Sequence, residues 1–364
     1  MKHLHRALAL YVFLAGLFGC GDTASVGEGT SQSIDPGRCS SSPDFERLQV
    51  GNRDMTVVGA AVSCTHVVWL APLDVEGTPS EPQVHVHDIE AGLTYRTTAP
   101  VEGTESAPKR WSPALHGFWL AYAEPGRIVV ENLSNFERAE FEAAPADGKV
   151  VDVHYPWVVW QERADFGRTV VMAGHLGDGW TVQVTPSDAT ATHVSVDMGR
   201  VVYTLWPEDL DGPQPTLDGT PTVHVFNLDV DAEGTPVHPV DAETWAGSIY
   251  GDTVTYLIRL DGEVYVVARS LSKKREIGAV VGGIPDQVWP QVGAGVVTWL
   301  KSSSPTSTYV AWWPELAHID ELSLESEASF LELGEHLLVT DSPTEAALNV
   351  ELVFPRETIV EPES

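Results

Sequence analysis

Cysteine is scarce in this chain of 364 residues: only Cys20, Cys39 and Cys64 occur. A disulfide-dense framework and a zinc site built from four cysteines are excluded by that count, and no CxxC pair is present. Positive charge is scarce too. There are 21 Lys and Arg against 52 Asp and Glu, a net charge of −31. Such a surface repels phosphate backbones, so nucleic acid is excluded as a partner, and it also repels anionic lipid headgroups. No apolar run is long enough to cross a bilayer as a helix. Gly (31) and Pro (25) interrupt every candidate helical window. The common catalytic motifs are missing as well: there is no G-x-S-x-G, no HExxH, no P-loop and no dinucleotide-binding glycine fingerprint.

What is present is a repeat. Seven apolar segments end on an aromatic or equivalent position, at Trp69, Tyr122, Trp160, Tyr203, Tyr256, Trp299 and Thr340. Successive positions differ by 53, 38, 43, 53, 43 and 41 residues. A period of roughly 40–50 residues built from strands is that of a β-propeller. Each unit opens on a segment rich in Pro, Gly or small residues, such as RWSPALHG (110–117) or VVDVHYP (150–156). A continuous apolar strand follows, as expected when both faces are covered. An alternating strand comes next, and a polar fourth strand closes most units, as an outer edge requires. The seventh unit lacks a fourth strand. The spare segment FERLQV (45–50) is predicted to supply it and so close the ring. The fold expectation is therefore all-β: a propeller of seven blades of up to four antiparallel strands, with six or eight as alternatives.

The N-terminus reads as a targeting device. Lys2 and Arg6 precede an apolar run from Leu8 to Phe18, too short to span a bilayer and suited to a secretory signal. It ends Leu17-Phe18-Gly19-Cys20, which resembles the bacterial lipobox. That resemblance implies cleavage after residue 19, lipidation of Cys20 and a membrane-anchored lipoprotein facing the periplasm or cell surface. Residues 20–44 are Gly-, Ser- and Thr-rich and read as a flexible tether. The propeller is assigned to 45–355 and a tail to 356–364. With Cys20 acylated, an exported chain is expected to join Cys39 to Cys64, closing about 25 residues and worth ~3 kcal/mol.

RWSPALHGFWLAYAEPGRIVVENL (110–133) resembles the repeat of TolB-like propellers, a WD-type architecture. The resemblance implies periplasmic scaffolding and protein binding through one ring face; no contact residue carries over.

Several residues are candidates for chemistry. His85 and His87 share one strand face and suit a metal, but His224 stands at the same repeat position as His85, which favours a structural role. Asp229, Asp231 and Glu233 open like a calcium loop, yet the twelfth position is Val240 where a bidentate Glu is needed. Asp209, Asp211 and Asp218 form a second acidic loop. Calcium is the one cofactor these loops suit; no metal ligand is assigned. Ser270 and Lys273 match S-x-x-K on paper but end a strand rather than ride a helix. Trp111, Trp245 and Trp289 precede inner segments and are expected in interblade packing or at a channel mouth. The composite reading is a monomeric, non-enzymatic module for an envelope protein or glycan. The alternative is a hydrolase or lyase with acids converging at the central channel, and convergence of three acids there would favour it.

Overall fold

The computed structural model describes residues 47–50, 59–75, 78–96, 111–148, 150–206, 220–230, 233–238, 242–281, 289–302, 308–323, 331–334, 337–342 and 347–352. Residues Met1–Asp35 separate as a unit of their own, outside the described residues. The signal segment, Cys20, the tether, Cys39, Asp209, Asp211, Asp218, Asp231 and the tail therefore all lie outside them.

Every described strand belongs to one of seven four-stranded antiparallel sheets, six of them simple meanders. Sheet 1 comprises Gly59–Val62, His66–Val75, Thr78–Asp88 and Leu93–Arg96. Sheet 2 is Trp111–His116, Trp119–Glu124, Arg127–Asn132 and Arg138–Glu142. Sheet 3 is Val151–His154, Trp157–Arg163, Thr169–His175 and Thr181–Gln183. Sheet 4 is Thr190–Asp197, Arg200–Trp206, Thr222–Asn227 and Thr235–Pro236. Sheet 5 is Glu243–Tyr250, Thr253–Leu260, Glu263–Ser270 and Arg275–Val281. Sheet 6 is Gln291–Val292, Val297–Ser302, Thr308–Trp313 and His318–Ser323. Sheet 7 is Leu331–Gly334, Leu337–Ser342 and Ala347–Leu352, with Arg47–Val50 as its outer strand. That last strand runs antiparallel to Ala347–Leu352, Arg47 opposite Glu351 and Val50 opposite Leu348, as the spare segment was expected to do. The fold is a β-propeller of four-stranded antiparallel blades.

The core lies between sheets rather than within them. In the second strand of sheet 2, Leu120 and Tyr122 pack toward sheet 1, while Ala121 and Ala123 pack toward sheet 3. Period-two alternation makes one strand serve two cores, which is why its sequence is apolar throughout. The repeat aromatics all face backward. Tyr122 packs on sheet 1, Trp160 on sheet 2, Tyr203 on sheet 3, Tyr256 on sheet 4 and Trp299 on sheet 5. Trp69 packs with Val50, Leu348 and Val350 of sheet 7, so the strand donated by the N-terminal segment is part of a buried core. These six rings are almost wholly buried. Thr340, the seventh position, lies in Leu337–Ser342 opposite Asn349.

The outer strands are polar as expected. In Arg138–Glu142 only Phe141 is buried. Its ring lies so close to Gly174 of sheet 3 that a Cβ there would stand 2.7 Å away. The frame LDVEGTP (73–79) prolongs a hairpin: Asp74 pairs with Pro79 and Val75 with Thr78. Among the described residues the helical turns are two short 3-10 segments, Asp165–Gly167 and Pro314–Leu316.

Candidate axial site

The first strands of neighbouring sheets converge around a cavity of about 150 Å³. Its wall takes Ser63 from sheet 1, His116 from sheet 2, Asp152 and His154 from sheet 3, and Ser195 and Asp197 from sheet 4. Ser248 and Tyr250 of sheet 5, Gln291 of sheet 6 and Leu333 of sheet 7 complete it.

Most of these polar groups bond across to the next sheet. The Ser63 hydroxyl donates to the Gly117 carbonyl (2.9 Å). Asp152 Oδ2 accepts from Val196 N–H (2.8 Å), and Asp197 Oδ2 accepts from Gly251 N–H (2.6 Å). Ser195 Oγ accepts from Ile249 N–H and Ser248 Oγ from Val292 N–H, both at 3.4 Å. Gln291 Oε1 accepts from Leu333 N–H (2.5 Å). Further out, Ser112 Oγ accepts from both Val150 N–H (2.6 Å) and Val151 N–H (3.0 Å), and Thr204 Oγ1 from Ala246 N–H (3.0 Å). The direction is the same each time these amides are bonded: a side chain of one sheet caps amides of the following sheet. First strands have no backbone partner on their inner edge, so these side chains satisfy amides that would otherwise be left unpaired.

At one end of the cavity His154 Nδ1 lies 2.7 Å from Asp197 Oδ1, with both side chains buried. The His154 ring stacks on His116 at 3.9 Å. Toward the other end His193 meets Trp289 edge-on at 4.8 Å, and Trp289 is 44% exposed. Burial pushes the His193 imidazole down to about 4, so it is neutral at physiological pH.

His193 reaches the cavity through a bulge. The inner strands of sheets 2, 4 and 5 each shift register once, between Trp111 and Ala114, Thr192 and Ser195, and Trp245 and Ser248. The residue that starts each shift has positive φ: Ser112 (55°), His193 (55°) and Ala246 (56°). In each case the strand opposite carries Tyr at the repeat position. Sheets 1 and 3, which carry Trp there, keep regular inner ladders, with Ala60 opposite Trp69 and Val151 opposite Trp160.

The residues singled out from sequence disperse. His85 stacks on Trp69 at 5.4 Å and His224 on Tyr203 at 5.6 Å, each pair directly opposed in register. The repeat position thus takes an imidazole that covers the core aromatic of its own sheet. His87 Nδ1 pairs with Thr94 Oγ1 (2.9 Å). Among the described residues no group of three or more His, Cys, Asp or Glu has metal-holding geometry. Ser270 Oγ donates to Asp252 Oδ2 (2.6 Å), and Lys273 approaches it only through a backbone N–H (3.1 Å). Burial raises Asp252, but bonds from Ser270 and Ser272 and the charge of Arg200 outweigh it and hold the carboxyl below its usual range. Trp111 donates to the Ala146 carbonyl (2.9 Å) and packs between sheets 2 and 3; Trp245 is buried between sheets 5 and 6. Only Trp289 of the three lines the cavity. Cys64 follows the first strand of sheet 1 and is disulfide-bonded; its partner lies outside the described residues.

No protein-family model and no curated protein matches this sequence. Solved structures match in fold. An oligogalacturonate lyase from Vibrio parahaemolyticus superposes with a TM-score of 0.57 at 8% identity, over 84% of this chain and 92% of that one. The Cps50 (Swd1) β-propeller domain of Myceliophteria thermophila gives 0.53 at 10% identity, over 85% and 100%. TolB from Acinetobacter baumannii gives 0.45 at 14% identity, over 72% of this chain and 65% of that one. At these identities the likeness is one of fold.

Proposed function

We propose that this chain is a non-enzymatic binding module: a ring of seven blades, exported and held to a bacterial envelope membrane through a lipidated Cys20. A Cys39–Cys64 disulfide braces the N-terminal segment against sheet 1, and the module works as a monomer on an envelope protein or glycan. The observation that carries the non-catalytic part is the state of the axial carboxylates. Asp152 and Asp197 both accept amides of the following sheet, and a carboxylate so engaged has little left for acid–base work. Among the described residues, a third acid does not join them on the cavity wall.

The second reading, a hydrolase or lyase, draws on the His154–Asp197 pair, since an imidazole oriented by a carboxylate is half of a general-base device. Full-length protein, purified from envelopes with its bound partners, separates the two. Recovery of one stoichiometric partner without turnover of oligosaccharide or peptide libraries supports the module. Turnover abolished by His154→Ala in a folded protein overturns it.

A further inference from the structure

In each of sheets 1 to 6 the turn from first to second strand and the turn from third to fourth strand lie at the same end, because successive strands reverse. The first-strand ends of sheets 1 to 5 also meet one another. Ser63 reaches Gly117, His116 stacks on His154, His154 reaches Asp197, and Asp197 accepts from Gly251. These turns therefore form one face of the ring.

Over sheets 1 to 4 that face is both apolar and acidic. Leu93, Phe136, Tyr155, Trp180, Met198 and Val230 all stand exposed on it, Phe136 at 73%. Each third-to-fourth turn places an exposed acid beside its apolar tip: Glu90 before Leu93, Glu137 after Phe136, Asp178 before Trp180, Asp229 before Val230. At this end the turns of the four sheets hold no Lys or Arg; Arg138 and Arg200, which begin the strands beside Glu137 and Gly199, are engaged with Glu131 and Glu140 and with the Gly251 carbonyl. Tyr155 and Trp180 are packed against other rings. Tyr155 stacks on Trp119 at 4.8 Å, Trp180 stacks on His175 at 5.7 Å, and Trp157 meets Trp180 edge-on at 5.2 Å. Prearranged rings bind with less loss of side-chain freedom. The cationic turn of this end, Lys273-Lys274, is on sheet 5, outside this sector.

We propose that this face over sheets 1 to 4 docks a cationic polypeptide segment that alternates Lys or Arg with apolar side chains. The inference rests on the binding-module reading and names its face and the chemistry of its partner. Apolar residues of the segment cover Phe136, Leu93 and Val230. Its cations meet Glu90, Glu137, Asp178 and Asp229 and the ring faces of Tyr155 and Trp180, where cation–π attraction adds to the charge. The net charge of −31 steers such a segment toward the protein, and the apolar tips fix where it settles. An anionic membrane is disfavoured by the same acids.

The test uses full-length protein in neutral detergent at about 0.15 M salt, near physiological ionic strength, and a fluorescent peptide of alternating Lys and Leu. Its controls are the Glu/Leu and Lys/Ser peptides and anionic vesicles. Saturable binding of the Lys/Leu peptide alone is expected. Phe136→Ser should weaken it several-fold and Trp180→Ala with Tyr155→Ala at least tenfold, with Trp289→Ala without effect. Phe136 is exposed enough that its variant keeps the fold, so the test survives if the double variant does not. Equal binding of Lys/Ser, or affinity untouched by these variants, overturns the proposal, since charge alone then accounts for it. So does preference for vesicles, or self-association lost on Phe136→Ser, which makes a second copy the occupant. Binding lost only in Trp289→Ala overturns this face but leaves the binding-module reading standing.

Discussion

At the residue scale, six aromatic rings do the same job in six sheets: each fills the space against the sheet before it. Trp160 is fully buried among residues of sheets 2 and 3 and donates its indole N–H to Glu162 (2.9 Å). Trp160→Ala is expected to cost about 3–5 kcal/mol in urea unfolding. Gly174→Ala drives a methyl into the Phe141 ring and should cost about 1–3 kcal/mol. Titration is a third residue-scale expectation. Burial lowers His193 to about 4 and also lowers His66, His87 and His224. Folding disfavours the charged form of these imidazoles, so they protonate first in the unfolded chain, whose value is near 6.5. Stability is therefore full above about 6.5 and falls as pH drops from there toward about 4, with His193 accounting for up to about 3 kcal/mol. Urea midpoints across that range should fall steadily, and His193→Gln should flatten the slope.

At the element scale, strand order and the donated outer strand were legible from the sequence, because they follow from alternation and from a count of strands per unit. Polar outer strands and apolar second strands are consequences of exposure, and exposure is what hydropathy reports. The axial site was not legible. Asp152 and His154 sit two apart in VVDVHYP, and Asp197 ends the inner strand of the next sheet. Their meeting depends on how two sheets stack, which no local pattern encodes. The bulges are illegible for a different reason: Ser112, His193 and Ala246 take positive φ without being Gly, so the usual cue is absent. The signal that was there is the aromatic opposite, Tyr rather than Trp. Ser112 lends itself to measurement. Its hydroxyl is the acceptor for two amides of sheet 3, so Ser112→Ala should cost about 1–3 kcal/mol, more than a surface serine would.

At the scale of the whole molecule, the ring closes through Arg47–Val50, which joins the start of the propeller to its end. Val50 is buried with Trp69 and Val350 in the core between sheets 7 and 1. A chain starting at residue 51 should lose Val50 from that core and melt over a broader range than one starting at residue 40, as read by calorimetry. Sheets stacked as neighbours unfold together only while the ring is shut.

On the proposed function, the polar side chains at the axis join sheets rather than carry out chemistry. The unfolding free energy of the Asp152→Ala, Asp197→Ala double variant tests it most directly. Carboxylates that satisfy buried amides are missed when removed, and the account predicts a loss of about 2–6 kcal/mol, near 1–3 for each. Groups held at some cost for catalysis behave the other way, and their removal commonly stabilises a protein. A double variant as stable as the parent, or more so, would contradict the account.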